Sequence, residues 1–327
     1  SQIEHPAMGL TWSGAAGVVD RLSQAPVTTE TVFRIASVTK TFTSAATHRL
    51  AELGRLQLGD PIADHLLPET VATLRERGYE PDRITVTHLL AHTSGLPNYD
   101  TPQYQAAVLA DPKRRWTRRA QMLFALDRFP QVGAPGEVFE YADTGYNLLG
   151  EIIEAKTGTS LGAAYRSLLN FDGLGMRSTW MEADESAPGL PAGFAHAYGD
   201  NGLDLRDIDP SADTHGGGGL VSSVGDLTRF FRALLEGRVV QPQSLLSMQT
   251  EFVTGSGLGR GLFLLSADGQ TCWGHEGFWG VGAYYCPQTR VSVALAINLA
   301  LADEANQARP ALSPFLNAVR LINAVTR

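Results

Sequence analysis

The sequence predicts an α+β protein, with an antiparallel sheet flanked by terminal helices and an all-helical domain inserted into it. Three observations carry this. Apolar residues recur at helical spacing from Ser37 to about Leu53. From Pro61 to about Pro210 the punctuation is that of helices joined by long loops. After Leu258 come short β-rich runs separated by Gly, Pro and Asp. Both ends then belong to a discontinuous sheet domain, residues 1–55 and 215–327, around a helical domain at 56–214.

In the first helix the periodic positions are Val38, Phe42, Ala45, Ala46, Leu50 and Leu53, and Gly54 is placed to cap its C-terminus. Tyr146 to Ala155 reads as a second helix, stopping near Thr157-Gly158. Ser223-Val-Gly-Asp226 has the form of a capping box opening a helix through Leu234. The strand runs are Gly261–Leu265, Thr271–Trp273, Gly282–Cys286 and Val291–Asn298. Ala311 to Val325 returns to a helical pattern. Cys272 and Cys286 stand symmetrically about Trp279, which falls in a glycine-rich turn. Symmetry about a turn sets them opposite each other across a hairpin, either as a disulfide or as two buried thiols.

Composition excludes several classes. Of 327 residues, 43% are hydrophobic and 18% charged, too apolar for a disordered chain. The net charge of −8 argues against a nucleic-acid surface. The one basic cluster, Arg114 to Arg119, reads as a solvated helix start. No apolar stretch reaches the roughly 18 residues of a membrane span. No CxxC or Cys/His cluster suggests a metal, and no cofactor is implied. The compartment stays open: periplasmic or secreted if a signal peptide was removed, otherwise cytoplasmic. The oligomeric state is open too.

The strongest chemical signal is Ser37-Val38-Thr39-Lys40. Residues three apart on a helix share a face, so the Ser37 hydroxyl and the Lys40 amine can meet. A lysine in apolar surroundings loses solvation as a cation, which favours a neutral amine able to act as a base. Alone, this pattern is common, and an N-cap serine with a surface lysine is its ordinary reading. Here it is followed by Glu140-Tyr141-Ala142-Asp143 after a Pro135-Gly136 turn, and by His275-Glu276-Gly277 in a glycine-rich strand pair.

These three elements, in this order, resemble the penicillin-recognising serine hydrolases: class C-like β-lactamases, DD-peptidases, D-aminopeptidases and amidases, and related esterases. Phe33 to Lys40, Ile84 to Leu96, Pro135 to Glu151 and Gly218 to Asp226 agree with it, so the resemblance covers most of the chain from about Leu10. It implies the β-lactamase/transpeptidase-like fold. It implies Ser37 as the acylated nucleophile, and Lys40 and Tyr141 in proton transfer. The backbone N–H groups of Ser37 and Phe278 would form an oxyanion hole. Gly277 would leave room for the substrate. His275, in place of the β-lactamase lysine, would hydrogen-bond Tyr141 or the substrate. Trp279 would form a cleft wall.

Three departures from the family pattern matter. Asp143 stands where asparagine is usual; an ionised carboxylate only accepts, so it should pair with Lys40 and raise its pKa. That makes Tyr141 the better base. Glu276 stands where threonine helps bind a substrate carboxylate. The chain begins at Ser1 close to the expected first strand, Gln2–His5, where relatives carry more structure. With Asp143 and Glu276 both lining the cleft, anionic penicillin-like ligands would be disfavoured and neutral or cationic ones favoured. The alternative has Glu276 in solvent and Asp143 neutralised by Lys40.

The expected activity is therefore ester or amide hydrolysis of a small molecule or peptide through an acyl-enzyme. An esterase or D-amino-acid-type peptidase fits better than an efficient β-lactamase. A DD-peptidase, a weak β-lactamase or a non-catalytic peptidoglycan-fragment-binding protein are the alternatives. Gly158-Thr-Ser160-Leu-Gly162 matches a nucleophile elbow, but a helix precedes it where a strand is required, so Ser160 reads as an N-cap. His92 reads as part of a structural loop, and His215 as a candidate cleft residue.

Overall fold

The computed structural model describes residues 1–189, 193–199, 202–251, 253–267 and 269–300. In chain order the elements are β1 (Gln2–His5), β2 (Leu10–Ser13), β3 (Val32–Arg34), α1 (Thr39–Glu52), α2 (Pro68–Glu76), α3 (Val86–Leu90), α4 (Pro102–Ala110), α5 (Arg118–Leu126), α6 (Asp143–Thr157), α7 (Leu161–Leu168) and α8 (Phe171–Leu174). There follow β4 (Trp180–Met181), β5 (Leu220–Ser223), α9 (Val224–Leu235), α10 (Pro242–Gln249), β6 (Phe263–Ala267), β7 (Gln270–Gly277), β8 (Val281–Cys286) and β9 (Val291–Ala296). The expected helix at Ala311–Val325 lies outside the described residues.

Six strands form an antiparallel sheet in the order β2-β1-β9-β8-β7-β6. The N-terminal hairpin thus pairs with the last strand, Ile3 opposite Val293. Period-2 alternation sorts each strand into two faces. Val281, Ala283, Tyr285 and Ala294 turn inward to the main core with Phe42 of α1 and Phe230 of α9. Those two rings stack at 3.8 Å. Cys272, Tyr284, Cys286 and Val293 turn outward. Cys272 and Cys286 are joined as a disulfide, which decides between the two cysteine readings. A second, three-stranded sheet, β3-β5-β4, leads directly into the nucleophile turn. Sequence reasoning missed it because its strands are only two to four residues long.

The helix boundaries follow local chemistry. Gly54 (φ +68°) and Gly158 (φ +69°) adopt the left-handed conformation that ends α1 and α6. Helix α6 starts three residues before the expected Tyr146. Ser223 caps α9 by accepting from the Asp226 N–H at 3.2 Å. The reciprocal half of the expected capping box is absent, because the Asp226 carboxylate binds Thr179, Ser178 N–H and Arg229 instead. The Arg114–Arg119 run does open a helix, α5, capped by Thr117, but it is not simply solvated. Arg118 pairs with Glu154 at 2.6 Å and Arg119 binds Thr73. Ser160 is the N-cap of α7 and follows α6, so the elbow motif is not one. Among the described residues, no helix is long and apolar enough to cross a membrane.

Candidate active site

Strand β3 ends at Arg34, and a single turn of 3-10 helix, Ala36–Val38, carries Ser37 into α1. Ala36 holds φ +43°, an uncommon conformation for a residue with a side chain, directly before the serine. Ser37 is half-buried, whereas Lys40, one turn on, is sealed from solvent. The Lys40 ammonium has three donors and finds three acceptors: Ser37 Oγ at 2.8 Å, Asp143 Oδ1 at 2.5 Å and the Gly217 carbonyl at 2.9 Å. Nζ lies 5.0 Å from the centre of the Tyr141 ring, and the Tyr141 hydroxyl interacts with both Ser37 and Lys40. The three side chains expected to meet do so.

Burial alone would pull Lys40 down towards a neutral amine. The Asp143 carboxylate opposes it, aided by Tyr141, and the net result holds Lys40 well above its ordinary value, as a cation. This is the pairing with Lys40 expected of Asp143. For Tyr141, burial outweighs the lowering effect of Lys40 and pushes the phenol up to about 12. Reaching a free phenolate at pH 7 from there costs about 7 kcal/mol.

The strand alternation decides the third element. Trp273 packs into the main core, so His275 and Gly277 share its inward face. Gly277 sits against the nucleophile turn: a Cβ there would fall 2.2 Å from the Ile35 carbonyl oxygen and 3.1 Å from Ala36 Cβ. Its glycine therefore admits the turn itself. Strand β6 pairs with β7 only as far as Gly274, opposite Phe263, which leaves the His275–Gly277 edge uncovered by it. Among the described residues neither the Ser37 nor the Phe278 N–H donates a hydrogen bond.

His275 is 1% exposed and stacks on Phe263 at 4.0 Å. Its Nδ1 bonds the Glu276 carbonyl at 2.7 Å, while Nε2 is buried without a partner. The expected bond to Tyr141 is not formed. Burial, reinforced by the Lys40 charge, drives its pKa down to about 3, so the ring is neutral. Glu276 corrects a second expectation. It lies on the outer face, where it accepts from the Tyr284 hydroxyl at 2.7 Å, and does not line the cleft. Trp279 is 7% exposed, and its Nε1 donates to Asp213 at 2.8 Å. Its indole meets the Phe278 ring edge-on at 5.1 Å, belongs to the buried cluster that includes Ala36 and Tyr99, and lines two small cavities beside Arg34. His215 bonds the Trp116 carbonyl at 3.2 Å, a structural role.

Two contributors escaped sequence reasoning. His92, taken as structural, stacks on Tyr141 at 4.4 Å and on Tyr146 at 4.9 Å, and its Nδ1 accepts the Ala142 N–H. It therefore holds the Tyr141 ring and the start of α6 together. The Gly216–Gly219 run supplies the third acceptor for Lys40. Its signal was the glycines themselves: a Cβ on Gly216 or Gly217 would strike the Tyr146 carbonyl or Asp143.

A two-sheet α+β fold that brings a serine, a buried lysine and a tyrosine together at the end of a sheet defines a serine hydrolase of the β-lactamase/transpeptidase type. The chain belongs to the Beta-lactamase family, whose model matches residues 9–313. It is similar to Penicillin-binding protein 4 of Amycolatopsis lactamdurans, 30% identical over 87% of this chain and 76% of that protein. It is similar also to Esterase EstB of Burkholderia gladioli, 30% identical over 71% of this chain and 64% of the esterase's length. Its fold superposes on D-amino acid amidase from Ochrobactrum anthropi SV3 with a TM-score of 0.83 and 26% identity, covering 100% of this chain and 93% of that one.

Proposed function

We propose that the protein hydrolyses an ester or amide through an acyl-enzyme on Ser37. The observation that carries this reading is the sealed Lys40 ammonium held on Ser37 Oγ beside the Tyr141 hydroxyl. Neither base is free beforehand, because Lys40 is cationic and Tyr141 is a phenol. A single concerted transfer avoids the cost of a discrete phenolate. Ser37 attacks the carbonyl and passes its proton to the Tyr141 oxygen, while the Tyr141 proton goes to the departing oxygen or nitrogen. Lys40 stabilises the charge building on Ser37 Oγ. The Ser37 and Phe278 N–H groups receive the oxyanion. Water then enters by the reverse relay, giving the acid and restoring both hydroxyls.

The uncovered β7 edge and the half-buried serine suit a small or peptidic acyl group. The resemblance to an esterase and to a D-amino acid amidase favours neutral esters and aminoacyl amides over β-lactams. The test is a panel of p-nitrophenyl esters, D-aminoacyl amides, D-Ala-D-Ala peptides and cephalosporins. We expect turnover of one of the first two groups, and less than about 1% of it in Ser37→Ala. A cephalosporin ahead of both by tenfold or more, or an active Ser37→Ala, would overturn the reading.

A further inference from the structure

Helix α3 ends at Leu90, and His92, two residues on, takes the left-handed conformation (φ +55°) that Gly54 and Gly158 take at the ends of α1 and α6. A residue with a side chain is disfavoured there, and such strain persists where the surrounding structure makes use of the residue. His92 also leaves its buried Nε2 without a partner. Both features are unfavourable, and the contacts of the same residue show what offsets them.

Those contacts bracket Tyr141. The His92 carbonyl accepts the Glu140 N–H at 2.9 Å, and Nδ1 accepts the Ala142 N–H at 3.1 Å. Between those two anchors the Tyr141 ring lies against the imidazole at 4.4 Å, with the planes 26° apart. The imidazole stacks on Tyr146 as well, and the Tyr146 hydroxyl donates to the Leu90 carbonyl of α3 at 3.0 Å. Residues 138–142 belong to neither helix nor strand, so no regular backbone ladder of their own places Tyr141. One histidine thus holds the residue before the tyrosine, the residue after it and the ring itself.

The clamp requires one protonation state. Nδ1 accepts, so the single ring proton sits on Nε2, and a second proton on Nδ1 would set two donors face to face. Burial, and then the charges of Lys40 and His275, hold His92 well below its ordinary value, so the ring stays neutral.

We propose that His92 is a positioning residue of the proton relay, setting where the Tyr141 hydroxyl stands beside Ser37 and Lys40. The proposal rests on the hydrolase reading above, and its signature is that His92 matters to the reaction only while that hydroxyl is present.

The test is a double-mutant cycle on the rate constant for labelling of Ser37 by a serine-reactive fluorophosphonate. Fluoride departs as an anion, so labelling proceeds, slowly, without the phenol as proton donor. A first-order rate constant does not depend on the folded fraction. His92→Phe keeps an aromatic ring but offers Ala142 no acceptor. Its loss of rate in the parent, divided by its loss in Tyr141→Phe, should be about tenfold, within the range of coupling between residues in contact. A quotient of at least about fivefold upholds the proposal; a smaller one overturns it, because a general packing role slows both backgrounds alike. His92→Asn takes the place of a phenylalanine variant that fails to fold, and is read against the same threshold. Asparagine tolerates the left-handed backbone and offers Oδ1 to the same N–H, but removes the stacking partner of Tyr141. A measurement on the parent alone stands beside the cycle: nitrogen-15 NMR of labelled histidine should find Nδ1 of His92 unprotonated and Nε2 protonated at neutral pH, and the opposite tautomer overturns the proposal. If the fluorophosphonate leaves no adduct on Ser37 of the folded parent, the hydrolase reading itself fails. If it does and the quotient falls short, this inference alone fails.

Discussion

Lys40 is balanced between two opposed effects, and Asp143 decides the outcome. Burial favours the neutral amine, while the adjoining carboxylate holds the proton on. Replacing Asp143 by asparagine removes the opposing charge and leaves the burial. Asp143→Asn should therefore bring the Lys40 ionisation down, with acylation by a neutral ester rising as pH increases through it. The parent should show no such step. Superimposable profiles for the two proteins would contradict the account. Much of this was readable in the residues, because a carboxylate two residues after a catalytic-type tyrosine has an obvious partner in the lysine. Glu276 was not readable in the same way. Which face a strand residue takes depends on register, and one position separates the cleft from the outer surface. Asp100 and Asp213 were invisible for another reason: nothing local marks an aspartate that only the folded chain brings near Lys40.

At the scale of elements, the site depends on how closely β7 approaches the nucleophile turn. Gly277 sets that distance, since any side chain there meets the Ile35 carbonyl. Gly277→Ala should keep the far-ultraviolet circular dichroism of the parent yet lower kcat/KM by about a hundredfold, the scale of loss that a displacement near 1 Å produces. A loss below threefold would mean that the strand and the turn are not coupled. The long, strongly periodic elements were legible: α1, α6, α9 and the four C-terminal strands lie within a few residues of their expected places. The hairpin partner β2 and the small sheet β3-β5-β4 were not. Their strands are too short for a pattern, and long-range pairing defines them.

Across the whole molecule, the cost of ionising a buried aspartate beside Asp143 and Asp213 should appear in stability. Asp100 has an ordinary value of 3.8 and sits at about 7 in the fold, through burial and then the charges of Asp143 and Asp213, partly offset by Gln105 and Lys40. Below pH 4 the carboxyl is protonated in both folded and unfolded chains, so it contributes no pH dependence. Between about 4 and 7 the unfolded chain ionises while the fold retains its proton, and stability declines as pH rises. Asp100→Asn should thus leave the melting temperature nearly unchanged at pH 4 and raise it at pH 8; an equal shift at both would contradict the assignment. The account's central claim, that one activated serine stands where the lysine and the tyrosine converge, has a more direct test. Intact protein is treated with a serine-reactive fluorophosphonate, digested and mapped by mass spectrometry. One adduct, on Ser37, is the predicted result, absent from Ser37→Ala and strongly slowed in Tyr141→Phe. An adduct on another residue, or none on a folded parent, contradicts it.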